Sequence, residues 1–328
     1  MTTTHPLGLL TDSLSELTRE DALDLAAQLG VETVEIGLGG NHGGWSPAPH
    51  ADLEELLAEP AARRRLAADI TGRGLRLEAL NAAGNPLHPH QGERDDHVLR
   101  GALCLAEDLG VDTVVTMSGL PAAPGDSFPA WITTVWPPEN GRLLAHQWEV
   151  AARYWEQIAA EAEKRGVRIA VEMHANQLVY SVPSLLRLRE AVGPAIGANL
   201  DPSHLLWMGA DPIEAARALA GTVHHVHAKD TRIEERAAVA SRLETTPNPQ
   251  VDERAWNFVA VGRGHPDGPA FWARWMEALA GGGYAGPVSI ENEDYELSQR
   301  DSVAFAVSTL RAAQDLTRGA VGNASVPA

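Results

Sequence analysis

VRIAVE (167–172), AIGANLD (195–201), TVHHVH (222–227) and GPVSIE (286–291) share one design: a short apolar run that ends in a metal-type ligand, in turn Glu172, Asp201, His227 and Glu291. The residue just before each ligand is Val171, Leu200, Val226 or Ile290. Strand side chains alternate faces, so one face of each run is apolar while the ligand points the other way. In a closed parallel barrel the outward face packs on helices, and the strand C-termini open on one mouth where active sites sit. The four ligands are expected to converge there. A single strand-end acid would more readily pair with a neighbouring Arg or Lys, but four in order match a metal site better.

Working outward, strand-like runs fall near 7–10, 33–37, 75–80, 113–117, 168–172, 196–200, 222–227 and 287–291. Helical patterns lie between them near 18–29, 51–72, 93–109, 146–165, 182–192, 211–220, 269–280 and 298–313. Strict alternation of strand and helix implies a parallel sheet, and eight units close it into a single (β/α)8 TIM barrel. The expected organisation is one barrel over 1–317 with a small, polar, frayed tail at 318–328. Two long connections, roughly 118–146 and 228–268, both follow a strand and are therefore expected on the catalytic face as lids or binding loops.

The chain has 328 residues, 44% of them hydrophobic, enough to bury a large core in one domain. Its net charge of −18, from 26 basic and 44 acidic residues, opposes binding to a phosphate backbone. Cys104 sits alone on a helical pattern and reads as a buried small apolar residue, with no disulfide framework. The start, MTTTHPLGLLTDSL, lacks a basic segment followed by a long apolar core, and no run reaches membrane-spanning length. A cytoplasmic protein with no membrane partner is expected.

The ordered strand ends VEMH (171–174), DPSH (201–204), HAKD (227–230) and IENED (290–294), with GNPLHP (84–89) and the GRG turn at 262–264, carry a family resemblance. Over nearly its whole length the chain resembles the sugar phosphate isomerase/epimerase group of xylose-isomerase-like barrels, which includes the tagatose and allulose 3-epimerases. The resemblance implies one divalent ion held by Glu172, Asp201, His227 and Glu291. It also implies that the two Glu form an acid/base pair on opposite faces of the sugar, that His204 binds substrate and ion, and that an Arg contacts the substrate. Arg232 is the nearest equivalent of that Arg.

The residues themselves agree. Three carboxylates and one imidazole form a hard, oxygen-rich set that suits Mn²⁺ first, and Mg²⁺ or Co²⁺ next, better than a structural zinc site. Such an ion can chelate adjacent carbonyl and hydroxyl oxygens, acidify the C–H between them and stabilise the enediolate. His174 and Asn176 share the face of Glu172 and line the pocket or merely end the strand. His225 reads as a satisfied interior histidine. Lys229 either hydrogen-bonds a substrate hydroxyl or is a solvated loop residue. Glu35, inward-facing in VEIG, needs a partner, either a substrate hydroxyl or an Arg. His88 and His90 sit in a Pro-broken loop that suits sugar recognition, or are ordinary surface residues. Trp45, Trp131, Trp136 and Trp207 follow strands on the catalytic side, where indoles stack on sugars, while Trp155, Trp272 and Trp275 read as core.

Three functional classes fit the group. The first is an isomerase or epimerase of a free sugar working by proton abstraction alpha to a carbonyl. The second is a lyase that abstracts the same type of proton from a 3-keto-glycoside and expels the aglycone, as the alpha subunit of C-glycoside deglycosidases does. The remote third is an endonuclease IV-like phosphodiesterase, which the acidic charge and the compact ligand set disfavour. The long aromatic stretch 116–148 resembles the deglycosidase-type subset. It is expected to bring Trp136 and His146 to the mouth, His146 as an extra acid or base or else as the cap of the next helix. The expected partners are a sugar or sugar-derived small molecule and either a second copy in a homo-oligomer or, for the deglycosidase type, a small partner subunit. The isomerase/epimerase class in carbohydrate metabolism is the leading expectation.

Overall fold

The computed structural model describes residues 5–40 and 50–324, so Trp45 lies outside the described residues. Its strands are β1 (Leu7–Leu10), β2 (Thr33–Gly37), β3 (Arg76–Asn81), β4 (Thr113–Met117), β5 (Arg168–Glu172), β6 (Ile196–Leu200), β7 (Val223–Ala228), β8 (Asp230–Ile233), β9 (Trp256–Val259) and β10 (Val288–Ile290). The order β1-β10-β7-β6-β5-β4-β3-β2 closes a barrel, and β8 with β9 forms a separate two-stranded sheet. The eight-stranded parallel barrel expected from the alternation is thus present.

The chain divides into two compact units, one from the described parts of 1–34, 73–76 and 200–328, the other from those of 35–72 and 77–199. In the first, Gly8 aligns with Ser289, and Ser289 with His227, across β1, β10 and β7. In the second, Val115 aligns with Ala170, Met117 with Glu172, and Glu172 with Asn199, across β4, β5 and β6. Ala79, Val115 and Ala170 pack together on one face. The alternate face carries Leu80, Val114, Ile169, Val171, Ile196, Ala198 and Leu200, all fully buried. Period-two burial on both faces is what an enclosed parallel strand requires.

Helix boundaries depart from expectation where proline or a cap governs them. The 51–72 pattern splits into Leu53–Ala58 and Pro60–Thr71, with Pro60 opening the second helix. The helix expected from 146 starts at Pro138 and runs to Arg165, where left-handed Gly166 ends it. The first long loop therefore shrinks to 118–137, and His146 sits well inside a helix rather than on a loop. A further helix, Pro202–Met208, follows β6 directly, capped by Asp201, whose carboxylate accepts from Ser203 N. The second long connection is not structureless, since it holds the antiparallel β8–β9 hairpin. The last helix continues past 317 to Ala324. Cys104 is half-buried rather than buried. Among the described residues no helix is long and apolar enough to cross a membrane. Trp155, Trp272 and Trp275 are core residues, as expected.

The GRG turn acquires a mechanical role. Buried Asp230 accepts hydrogen bonds from the backbone N–H groups of Thr231 (2.8 Å), Gly262 (2.8 Å) and Gly264 (3.1 Å), tying the end of the hairpin to its start. A Cβ at 264 would stand 2.2 Å from Asp230 Oδ1, so only glycine lets the backbone come this close. Gly264→Ala is expected to lower the unfolding free energy by about 2 kcal/mol. Gly141→Ala, in the helix Pro138–Arg165 and with nothing within 4 Å of the new Cβ, should stabilise by about 1 kcal/mol. Urea unfolding of both variants measures the contrast, and an equal response would refute the close-approach argument.

Burial pushes the Asp230 carboxyl up from 3.8 to about 6, with the three N–H donors pulling the other way. The folded state then holds this proton more tightly than the unfolded chain. Asp230 therefore contributes most stability below about pH 4, and that contribution is lost as pH rises towards about 6. In Asp230→Asn, thermal melts over this window should show a flatter pH dependence on a lower baseline, because the amide N–H₂ meets backbone donors. An unchanged slope would assign the window to another group.

Candidate metal centre and active site

Glu172, Asp201, His227 and Glu291 each offer one ligand atom, and these atoms lie within 4.8 Å of one another. Three of the four are buried and Glu291 is half-buried. Glu172 ends its strand, Asp201 and Glu291 come just after theirs and His227 is the last residue but one of β7, so the geometry follows from the alternation that hides Val171, Leu200, Val226 and Ile290 on the opposite face. Three carboxylates this close and this deep repel one another strongly unless a cation or fixed donors offset them. The donor set, three oxygens and one nitrogen, fits a hard divalent ion.

Each carboxylate has one oxygen engaged by a fixed donor. Asn199, inward-facing on β6 two residues before Asp201, donates from Nδ2 to Glu172 Oε2 at 3.1 Å. Ser203 N donates to Asp201 Oδ1 at 2.7 Å, and Oδ2 lies 3.4 Å from His204 Nε2. Lys229 Nζ lies 3.2 Å from Glu291 Oε1, while Glu291 Oε2 lies 2.8 Å from His227 Nδ1. Fixed donors of this kind orient ligands and tune the ion they hold.

Two further groups share these ligands: Glu172 with His174 and His204, and His227 with Glu35 and His225, each with ligand atoms within 4.8 Å of one another. His174 and His204 thus gather around Glu172. Glu35, fully buried, accepts from Asn81 Nδ2 at 2.7 Å, a partner on β3 that was not anticipated. His225 packs edge-on against His227 at 5.3 Å, the interior layer expected of it.

The other candidates have surroundings of their own. Arg232 on β8 is held by Glu234 and by both oxygens of Glu296, at 2.6 and 3.1 Å. Arg263 joins the same network through Glu296 and Asp294, and the two guanidinium groups hold Glu296 below the usual carboxylate range. The charge of Arg232 is thereby matched by carboxylates of the chain itself. Trp136 is 75% exposed, and half-buried His146 lies in the helix Pro138–Arg165 rather than on the loop. His88 accepts from His90 N at 3.2 Å, a contact within its own loop. Trp207 is buried and lies against Trp256 at 4.7 Å, nearly parallel, so one face of its ring is covered. Trp131 meets Tyr180 edge-on at 5.4 Å.

Phe258 was missed. It stands on β9, its ring 5.5 Å from His204 and 4.5 Å from Lys229 Nζ. The alternation Trp256, Phe258 in AWNFVAVG (255–262) is its signal in the sequence, a short strand pattern inside the long connection 228–268.

A closed barrel with ligands at its strand ends defines a class, and comparison with known proteins places the chain within it. Residues 23–313 match the xylose isomerase-like TIM barrel model, and the chain belongs to that family. It is 46% identical over 312 residues to the uncharacterized protein YfiH of Bacillus subtilis (strain 168), covering 93% of this chain and 98% of that one. The structure of an L-ribulose 3-epimerase superposes with a TM-score of 0.64 at 18% identity, covering 98% of each chain. An IOLI protein with a bound zinc atom superposes with a TM-score of 0.62 at 18% identity, covering 95% of this chain and 99% of that one.

Asn199→Leu keeps the branched shape of the side chain but removes the neutral donor on Glu172. The expected result is Mn²⁺ affinity weaker by about 10- to 100-fold, the usual consequence of losing a ligand's outer partner. Isothermal titration measures it, and an unchanged Kd would show that Glu172 is oriented by something else.

Proposed function

We propose that this protein is a divalent-metal-dependent sugar isomerase or epimerase acting by proton abstraction alpha to a carbonyl. The observation that carries this reading is the convergence of Glu172, Asp201, His227 and Glu291 at the strand ends of the barrel. Mn²⁺ is the preferred ion for so oxygen-rich a set, with Mg²⁺ or Co²⁺ as alternatives. When bound, the ion polarises neighbouring carbonyl and hydroxyl oxygens and stabilises the charge that deprotonation leaves.

The chain's own residues do the rest. Glu172 and Glu291 are the groups that take and return the proton. Asn199 donates to Oε2 of Glu172 and so orients its carboxylate. His204 and His174, gathered around Glu172, orient substrate hydroxyls, and Glu35 offers a further acceptor beside His227. The likeness to an L-ribulose 3-epimerase supports a sugar substrate, and the charge of −18 favours a small molecule over a nucleic acid.

The test is incubation with ketohexoses in D₂O plus Mn²⁺. The expected product is an epimer or isomer carrying solvent deuterium, with Glu172→Gln slower by about 10²- to 10⁴-fold, the usual size of an acid/base contribution. Release of aglycone from a 3-keto-glucoside, without turnover of free sugars, would move the assignment to the eliminating lyase. Exchange from neither substrate, or full activity after chelation, would overturn the proposal.

A further inference from the structure

Lys229 is among the largest fully buried side chains, at 1% exposure, and it lies two residues after a metal ligand. Burying an ammonium is costly unless it is paired, and here three groups surround it. Nζ lies 2.8 Å from Glu293 Oε1, 3.2 Å from Glu291 Oε1 and 4.5 Å from the centre of the Phe258 ring. Two carboxylates and an aromatic face thus lie within reach of the ammonium. The hairpin backs this arrangement. Thr231 pairs with Phe258 across β8 and β9, and Trp256 stacks on Trp207 with Arg254 over its ring at 4.5 Å.

The two oxygens of Glu291 are therefore divided. Oε1 belongs to Lys229, and Oε2 faces the ligand set, 2.8 Å from His227 Nδ1. We propose that Lys229 is a positioning residue that keeps Glu291 a one-oxygen ligand, and so keeps one position on the ion open for substrate. This rests on the metal-centre reading above. A carboxylate free of the ammonium can turn both oxygens to a divalent ion, which binds the ion more tightly and closes a position. The ammonium also repels the ion directly. Both effects make the native arrangement a weaker but more open site, opposite in sign to the loss expected when neutral Asn199 is removed.

The experiment titrates the full-length protein with Mn²⁺, following free Mn²⁺ by electron paramagnetic resonance and open positions by water-proton relaxation. In Lys229→Met the Kd is expected to fall by about ten-fold, from the lost charge and added oxygen, and the relaxation enhancement per bound ion to drop. Lys229→Arg should stay near wild type in both. Should Lys229→Met fail to fold, Phe258→Leu loosens the ammonium in place and should move both readouts the same way by less. Wild-type protein that binds Mn²⁺ while the variants bind it equally or more weakly, with unchanged relaxation, would overturn this proposal alone. Wild-type protein that binds no Mn²⁺ would overturn the metal centre and this role with it.

Discussion

Mutual repulsion among three carboxylates held within a few ångströms of one another, with an imidazole as fourth member, is the constraint around which the surroundings are arranged. Each acid has an oxygen held by a donor, and each is served by a different device. A side-chain amide from the neighbouring strand serves Glu172, a helix cap serves Asp201, and a buried ammonium serves Glu291. All three devices depend on the barrel. Strand pairing sets Glu172 beside Asn199, and the outward apolar face supplies the burial that keeps the strands in register.

That dependence runs beyond the barrel into the hairpin. Lys229 and Asp230 are consecutive, and they face opposite tasks. One holds Glu291 while the other gathers three backbone donors around the GRG turn. Phe258, on the returning strand, touches both Lys229 and His204. The insertion between β7 and β10 is therefore a support of the ligand set.

Much of this was legible in the sequence because strand alternation is a local code. The runs ending at Glu172, Asp201, His227 and Glu291 could be read with no knowledge of their partners, and the eight barrel strands fall within a residue or so of expectation. What escaped depends on distant pairings. Arg232 has a charge that suits an anionic substrate, and nothing near it in sequence reveals that Glu296, 64 residues on, will take it. Trp207 was read by its place after a strand, but its stacking on Trp256 requires the hairpin. Two errors were local. Pro138 was the start signal for the helix that carries His146, and Asp201-Pro202 carried a cap and a first-turn proline that were read only as a ligand and its neighbour.

The stretch after β4 is fastened at a few points. Trp155 donates to Ser118 O, Val179 N donates to Ser118 Oγ, and the buried amide of Gln147 donates to both Pro121 O and Ala130 O. Between the last two anchors the chain is free to bulge, and Phe128 there is 77% exposed. Lengthening a loop between fixed ends costs only about 0.6 kcal/mol per doubling. Residues 122–129 thus form a segment whose length can change at little cost to the strands that carry Glu172 and its neighbours. A laboratory library confined to those positions would vary an exposed surface while leaving the strand-end carboxylates untouched.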